Sequence, residues 1–235
     1  MNARTATPRA PLTTLATVAI IGQVVLLASA LLLPLVSEYR LLRDTMSELV
    51  LGRFGWVQTL AFVVAGIGTL ALAYAIRQLS KGTWGSRFGS VLVGMYGVGA
   101  VLIAIFPTDR IDHPDDVWTQ STSGMIHMAV ATLSFICMIM AMFVFFRTFR
   151  LDARWWPLTP WIILLPCAGF SLMLGQAEGP WVGLLQRLLV GVIASWIVIV
   201  ALRVHALASG IMDDAPHSTV SPAGRHGDTE PAGTT

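Results

Sequence analysis

Six stretches of this chain are too long and too apolar for a water-soluble domain: residues 11–36, 55–76, 88–106, 123–146, 156–174 and 181–202. A helix of about 20 residues, rising ~1.5 Å per residue, crosses the ~30 Å hydrocarbon core of a bilayer. The expected fold is therefore all-α: a polytopic membrane protein, a six-transmembrane-helix bundle with short loops. Polar chemistry is then confined to the loops and the helix ends.

Composition supports this. Only 12% of the 235 residues are charged and 55% are hydrophobic, against about 25% charged in a soluble domain. A net charge of +2, with no basic stripe and no zinc-ligand spacing, argues against a nucleic-acid partner. Cys137 and Cys167 lie inside apolar segments without a metal-motif companion and read as small hydrophobes. Arg4, Arg9 and Ala28-Ser29-Ala30 imitate a signal peptide, but the apolar run continues through Leu31-Leu32-Leu33, so it reads as a retained first helix.

The basic residues set an expected orientation. Arg4, Arg9, Arg77, Lys81, Arg87, Arg147, Arg150, Arg154, Arg203 and Arg225 fall on one side; Arg40, Arg43, Arg53 and Arg110 fall on the other. The richer side should face the cytoplasm, with both termini there. Residues 1–10 form the cytoplasmic N-terminal segment and 11–208 the membrane domain. Residues 209–235, rich in Gly, Pro, Ser, Thr and Asp, form a cytoplasmic tail with too few apolar groups to order it. The expected location is the cell membrane, as a multi-pass protein.

Gly85, Gly89, Gly94, Gly97 and Gly99 in the third segment, with Gly66 and Gly68 in the second, predict close packing of helices two and three. Pro166 should kink the fifth helix, because its ring removes a backbone donor and crowds the preceding turn.

Four polar residues from separate segments share the boundary opposite the termini. Arg187, beside Gln186, lies inside the sixth segment, where a charge normally requires a polar cavity or a partner acid. Glu48 and Asp109 are the candidate acids. Glu48 also completes a Thr45-x-x-Glu48 capping-box pattern, and Pro107 ends the third helix just before Asp109. His127 lies about one turn into the fourth helix, with Thr122 or Ser123 as expected N-cap. The loop carrying Asp112, His113, Asp115 and Asp116 reads as a solvated acidic loop, and no metal site is expected. No phosphate loop, zinc-protease helix, nucleophile elbow or haem motif occurs, so no cofactor is expected.

The same residues carry a resemblance. Met46-Ser-Glu-Leu with Gly52 and Gly55-Trp56, Phe106-Pro-Thr-Asp109, Gly124-x-x-His127, and Gly183-Leu-Leu-Gln-Arg187 with Trp196 resemble the bacterial membrane family called domain of unknown function 998. The resemblance covers about residues 12–205. It implies a six-helix integral membrane protein and specifies no activity.

Three functions compete. The first is a membrane enzyme doing acid–base chemistry on an apolar lipid or isoprenoid entering between helices, such as a proton-initiated terpene cyclase. Glu48, Asp109 and His127 would be catalytic. Gln186, Arg187, Trp56 and Trp196 would bind substrate, with Tyr96, Trp118 and Trp181 as further aromatic walls. Two nearby carboxylates do not both ionise easily, so one would stay neutral and donate. Arg187 should pair with one of them. The second function is a proton-coupled transporter or lipid-handling protein; the third is a structural subunit without catalysis.

Overall fold

The computed structural model describes residues 9–80, 84–110, 119–175 and 180–210. The tail from residue 211, the acidic positions Asp112, His113, Asp115 and Asp116, and Trp118 lie outside the described residues. Six helices follow one another: α1 (Arg9–Leu32), α2 (Gly55–Leu79), α3 (Trp84–Ile105), α4 (Thr122–Arg150), α5 (Thr159–Leu174) and α6 (Val182–Ala208). Among the described residues, six spans are long and apolar enough to cross a membrane. Helices suit that solvent because each satisfies its own backbone hydrogen bonds. Each packs against its chain neighbours, and α6 closes the ring against α1.

Several helices outrun the apolar stretches at the terminal end of the bundle. α4 continues to Arg150 and α6 to Ala208. Hydropathy falls at the first charge, but an arginine extends its apolar stem along the helix and keeps its head in the interface, so the helix need not stop there. Arg147 and Arg150 in the last turn of α4 also offset the negative end of its dipole. α5, by contrast, begins at Thr159, because Pro157 falls in a preceding 3-10 turn, Ala153–Leu158, whose N-cap Asp152 accepts from the Arg154 amide at 3.0 Å. α5 then runs through Pro166 as one helix.

The glycines of α3 serve two neighbours rather than one. A Cβ on Gly66 would stand 2.7 Å from the Gly97 carbonyl oxygen, and one on Gly97 would stand 2.9 Å from that of Gly66, so α2 and α3 approach as expected. Gly85, Gly89 and Gly99 instead face Thr148, Phe145 and Ser134 of α4. Gly68 admits α1 at Val18 and Ala19. The small-residue stripe therefore builds a seam between α3 and α4 as well as the α2–α3 contact.

The ring is filled by side chains. The terminal half holds Phe145, Phe149, Trp155 and Trp196, with Phe149 stacked on Trp155 at 4.0 Å between ring centroids. The opposite half holds Leu26, Phe62, Ala65, Val190 and two residues from a loop, Met46 and Leu49.

Candidate functional site

That loop is the distinctive element. Between α1 and α2 the chain turns back as a 3-10 segment, Met46–Leu51, and buries Met46, Ser47 and Leu49. It plugs the end of the bundle away from the termini. Two clasps stand beside the plug.

The first clasp is made by α6. The Gln186 Oε1 accepts from the Met46 amide at 2.6 Å. Arg187 Nη1 donates to the carbonyls of Leu41 (3.1 Å), Asp44 (2.8 Å) and Gly183 (2.9 Å). Its guanidinium also lies 5.2 Å from the Tyr39 ring centroid. Burial raises the Tyr39 hydroxyl's pKa well above its ordinary value, so Tyr39 offers a neutral π-face. Gly183 is required here, since any Cβ would collide with the Asp44 carbonyl. Asp44 itself is buried, accepting from the Arg40 amide at 2.8 Å and Arg40 Nε at 3.0 Å, with Arg110 Nη2 at 3.9 Å.

The second clasp joins the end of α3 to the start of α4. Asp109 accepts from the Ser121 amide at 2.6 Å and its hydroxyl at 3.0 Å, and a Cβ on Gly124 would collide with that carboxylate. Ser121, one residue before the expected positions, is the N-cap of α4, accepting from the Gly124 amide at 3.1 Å. His127, 1% exposed, bonds through Nδ1 to the Phe106 carbonyl at 2.8 Å. A carbonyl only accepts, so Nδ1 carries a proton; in the neutral form of the ring Nε2 is then a lone pair. That Nε2 is buried and has no hydrogen-bond partner among the described residues.

The expected pairing of Arg187 with Asp109 or Glu48 is corrected. Arg187 bonds backbone carbonyls and no carboxylate among the described residues. Three carbonyl dipoles and an aromatic face supply the negative potential that an acid was expected to provide. Glu48 closes the capping box, its Oε2 accepting from the Thr45 amide at 2.5 Å and hydroxyl at 3.0 Å. Glu48 and Asp109 belong to different clasps. The aromatic residues are not gathered either: Trp56 and Trp181 are exposed on the outside of the bundle, while Trp196 is buried against Phe145 in the terminal-half core. Of these aromatic residues Tyr96 reaches the centre, where Phe62 and Phe135 join it.

Below the plug lies a small cavity of about 40 Å³, lined by Met46, Ser47, Tyr96, Ala131, Ser134 and Gln186 among others. His127, Ala131 and Ser134 are spaced four and three residues apart and so share one face of α4. Ser134 also lines a second, outward-facing groove between α3 and α4, about 440 Å³, whose other walls include Val91, Met95, Val98 and Leu133. Ser134 thus lines both the outward-facing groove and the cavity.

The elements that carry the resemblance, Met46-Ser-Glu-Leu, Phe106-Pro-Thr-Asp, Gly124-x-x-His and Gly183-x-x-Gln-Arg, each form one half of a clasp. A family model described as "Protein of unknown function (DUF998)" matches residues 20–203. The chain belongs to that family. No curated protein and no solved structure matches it. Membership agrees with the six apolar helices: the chain is a multi-pass membrane protein.

Asp44 and Tyr39 escaped the sequence reading. The signal for Asp44 was its i,i+4 spacing from Arg40 directly ahead of the capping box. Nothing local marks Tyr39, whose role depends on Arg187 arriving from α6.

Proposed function

We propose that this protein handles a lipid, taking an apolar tail laterally from the bilayer into the α3–α4 groove. The observation that carries this is Ser134, the wall shared by the groove and the central cavity. The groove's volume of about 440 Å³ falls within the roughly 300–1,000 Å³ of small-molecule sites. The cavity, at about 40 Å³, holds a water or two rather than a folded prenyl chain, which weighs against cyclisation inside it.

An acid–base enzyme on a lipid or isoprenoid is the second reading, favoured by one observation: the unpartnered Nε2 of His127 on the α4 face that leads to the cavity. In that reading His127 is the base. Glu48 and Asp109 shape the site by capping the segments around it. A proton-coupled transporter would use the same histidine.

The groove can be filled without disturbing the fold. A Cβ on Gly94 meets only Leu70, at 4.0 Å, so Gly94→Phe should project into the groove. A photoactivatable acyl-chain lipid should crosslink to the α3–α4 face of the wild type in vesicles, and crosslinking should fall several-fold in Gly94→Phe. Equal crosslinking in both proteins would sink the proposal. For the enzyme reading, untargeted lipid profiling of expressing cells should show a change absent from Gly94→Phe; identical profiles with and without the protein would rule it out.

The excess of Lys and Arg on the terminal side supports both termini in the cytoplasm. With Cys167 replaced by Ser, a membrane-impermeant thiol reagent applied to whole cells should label a cysteine at Arg53 and miss one at Leu151. The reverse pattern would invert the protein.

A further inference from the structure

We infer that the α3–α4 seam holds one anionic glycerophospholipid, with its phosphate on Arg147 and a tail in the groove leading to Ser134. This rests on the proposed lipid-handling reading and names the class of lipid.

The seam does not end at the groove. Towards the termini it opens into a cleft of about 650 Å³ lined by Ser80, Trp84, Phe143, Arg147, Leu151 and Arg154, among others. The two depressions lie on one continuous outer face. Trp84, Val91, Met95 and Val98 of α3, and Leu133, Met140 and Phe143 of α4, are all exposed large apolar residues at helical spacing. On that face the cleft is the polar end and the groove the apolar end.

The charges in the cleft favour a single negative ligand. Arg154 is already neutralised: its Nε and Nη2 bond Asp152 at 3.1 and 2.7 Å. Those bonds hold Asp152 below the usual carboxylate range, so the pair stays ionic at neutral pH. Arg147 is exposed and has no hydrogen-bond or ion-pair partner among the described residues. Ser80 also lines the cleft, its hydroxyl buried and without a hydrogen-bond partner among the described residues. One unopposed guanidinium matches a monoanionic phosphodiester, with Arg147 supplying charge-assisted donors.

The lengths agree as well. From Arg147 to Ser134 is thirteen residues of α4, or about 20 Å along the helix. That matches the distance from headgroup to midplane, about half of the roughly 40–45 Å bilayer with its polar regions. A tail whose phosphate sits on Arg147 therefore ends near Ser134, at the wall of the central cavity. Basic residues at the membrane surface beside helix seams are the chemistry that recognises such headgroups.

The test uses the full-length protein reconstituted with equal phosphatidylglycerol and phosphatidylcholine, then extracted into mild detergent for native mass spectrometry. The wild type should keep one phosphatidylglycerol in preference to phosphatidylcholine. Arg147→Gln should lower that preference about five-fold, the contribution of one surface arginine, while still retaining some lipid. Arg150→Gln, whose guanidinium lies over Phe146 rather than in the cleft, should behave as wild type. An unchanged preference in Arg147→Gln would overturn the headgroup assignment even if Gly94→Phe blocks the tail. Full lipid retention in Gly94→Phe would instead overturn the groove reading and this inference with it. Displacement of the bound species by inorganic phosphate alone would mark a soluble-anion site and refute the lipid.

Discussion

Gly183→Ala should release the plug. The added methyl would collide with the Asp44 carbonyl, and the obstacle is backbone, which gives less easily than a side-chain tip. Overpacking of this kind costs about 1–3 kcal/mol. The displacement would also separate Arg187 from the Leu41 and Asp44 carbonyls, and hydrogen bonds from a charged donor contribute about 1.5–3 kcal/mol each. Together these come to about 4–9 kcal/mol and should lower the melting temperature in detergent by roughly 10 °C or more, at about 2–4 °C per kcal/mol for a chain of this size. The local readout is more specific. Ser47 is buried in the plug; a cysteine there should be unreactive in the parent and labelled in the Gly183→Ala protein. Gly191 is the control, because a Cβ there meets nothing within 4 Å. If Gly191→Ala and Gly183→Ala melt alike and Ser47→Cys stays protected, the clasp does not hold the plug.

Much of this architecture was legible from the chain. The six spans follow from apolar length alone, and the Thr45–Glu48 capping box from a local four-residue pattern that needs no tertiary partner. The close approach of Gly66 and Gly97 was readable from small-residue spacing. The division of the α3 stripe between α2 and α4 was not, because spacing along one helix does not say which neighbour each glycine meets. The polar residues at that end of the bundle were legible, and the partner of Arg187 was not. A half-buried arginine in an apolar helix demands negative potential, and a carboxylate is the usual source. Here the source is the backbone of a returning loop, and backbone carbonyls leave no trace in side-chain identity. Glycine carried that information: Gly183 and Gly124 stand three residues ahead of Gln186 and His127, each admitting the segment that the following side chain then grips.

The correction has a functional consequence. An acid–base pair of Glu48 and Asp109 needs the two carboxylates close enough to share a proton. Instead, Asp109 receives two hydrogen bonds from Ser121 and Glu48 two from Thr45. Substituting either residue would therefore disturb a helix or turn start, and lost activity would not by itself identify an acid. His127 is the group for which structural and chemical roles can be separated.

His127→Asn should do so. An asparagine amide nitrogen can stand where Nδ1 stands and donate to the Phe106 carbonyl, while nothing replaces Nε2. His127→Ala removes both atoms, leaving a buried carbonyl unsatisfied at about 1–3 kcal/mol, with a cavity in addition. Thermal melting should therefore order the proteins wild type, then His127→Asn close behind, then His127→Ala several degrees lower. Lipid profiles should divide them differently if Nε2 is the base: both variants should lose the expression-dependent change, Asn as completely as Ala. His127→Gln gives the converse, an amide near the position of Nε2 with the Phe106 bond broken; it should melt like Ala and not restore the profile, because an amide does not take up a proton near neutral pH. The histidine is only a strut if His127→Asn keeps both the stability and the full lipid profile of the wild type. The base would then have to be abandoned, leaving the α3–α4 groove and its bound lipid as the part of the proposal still standing.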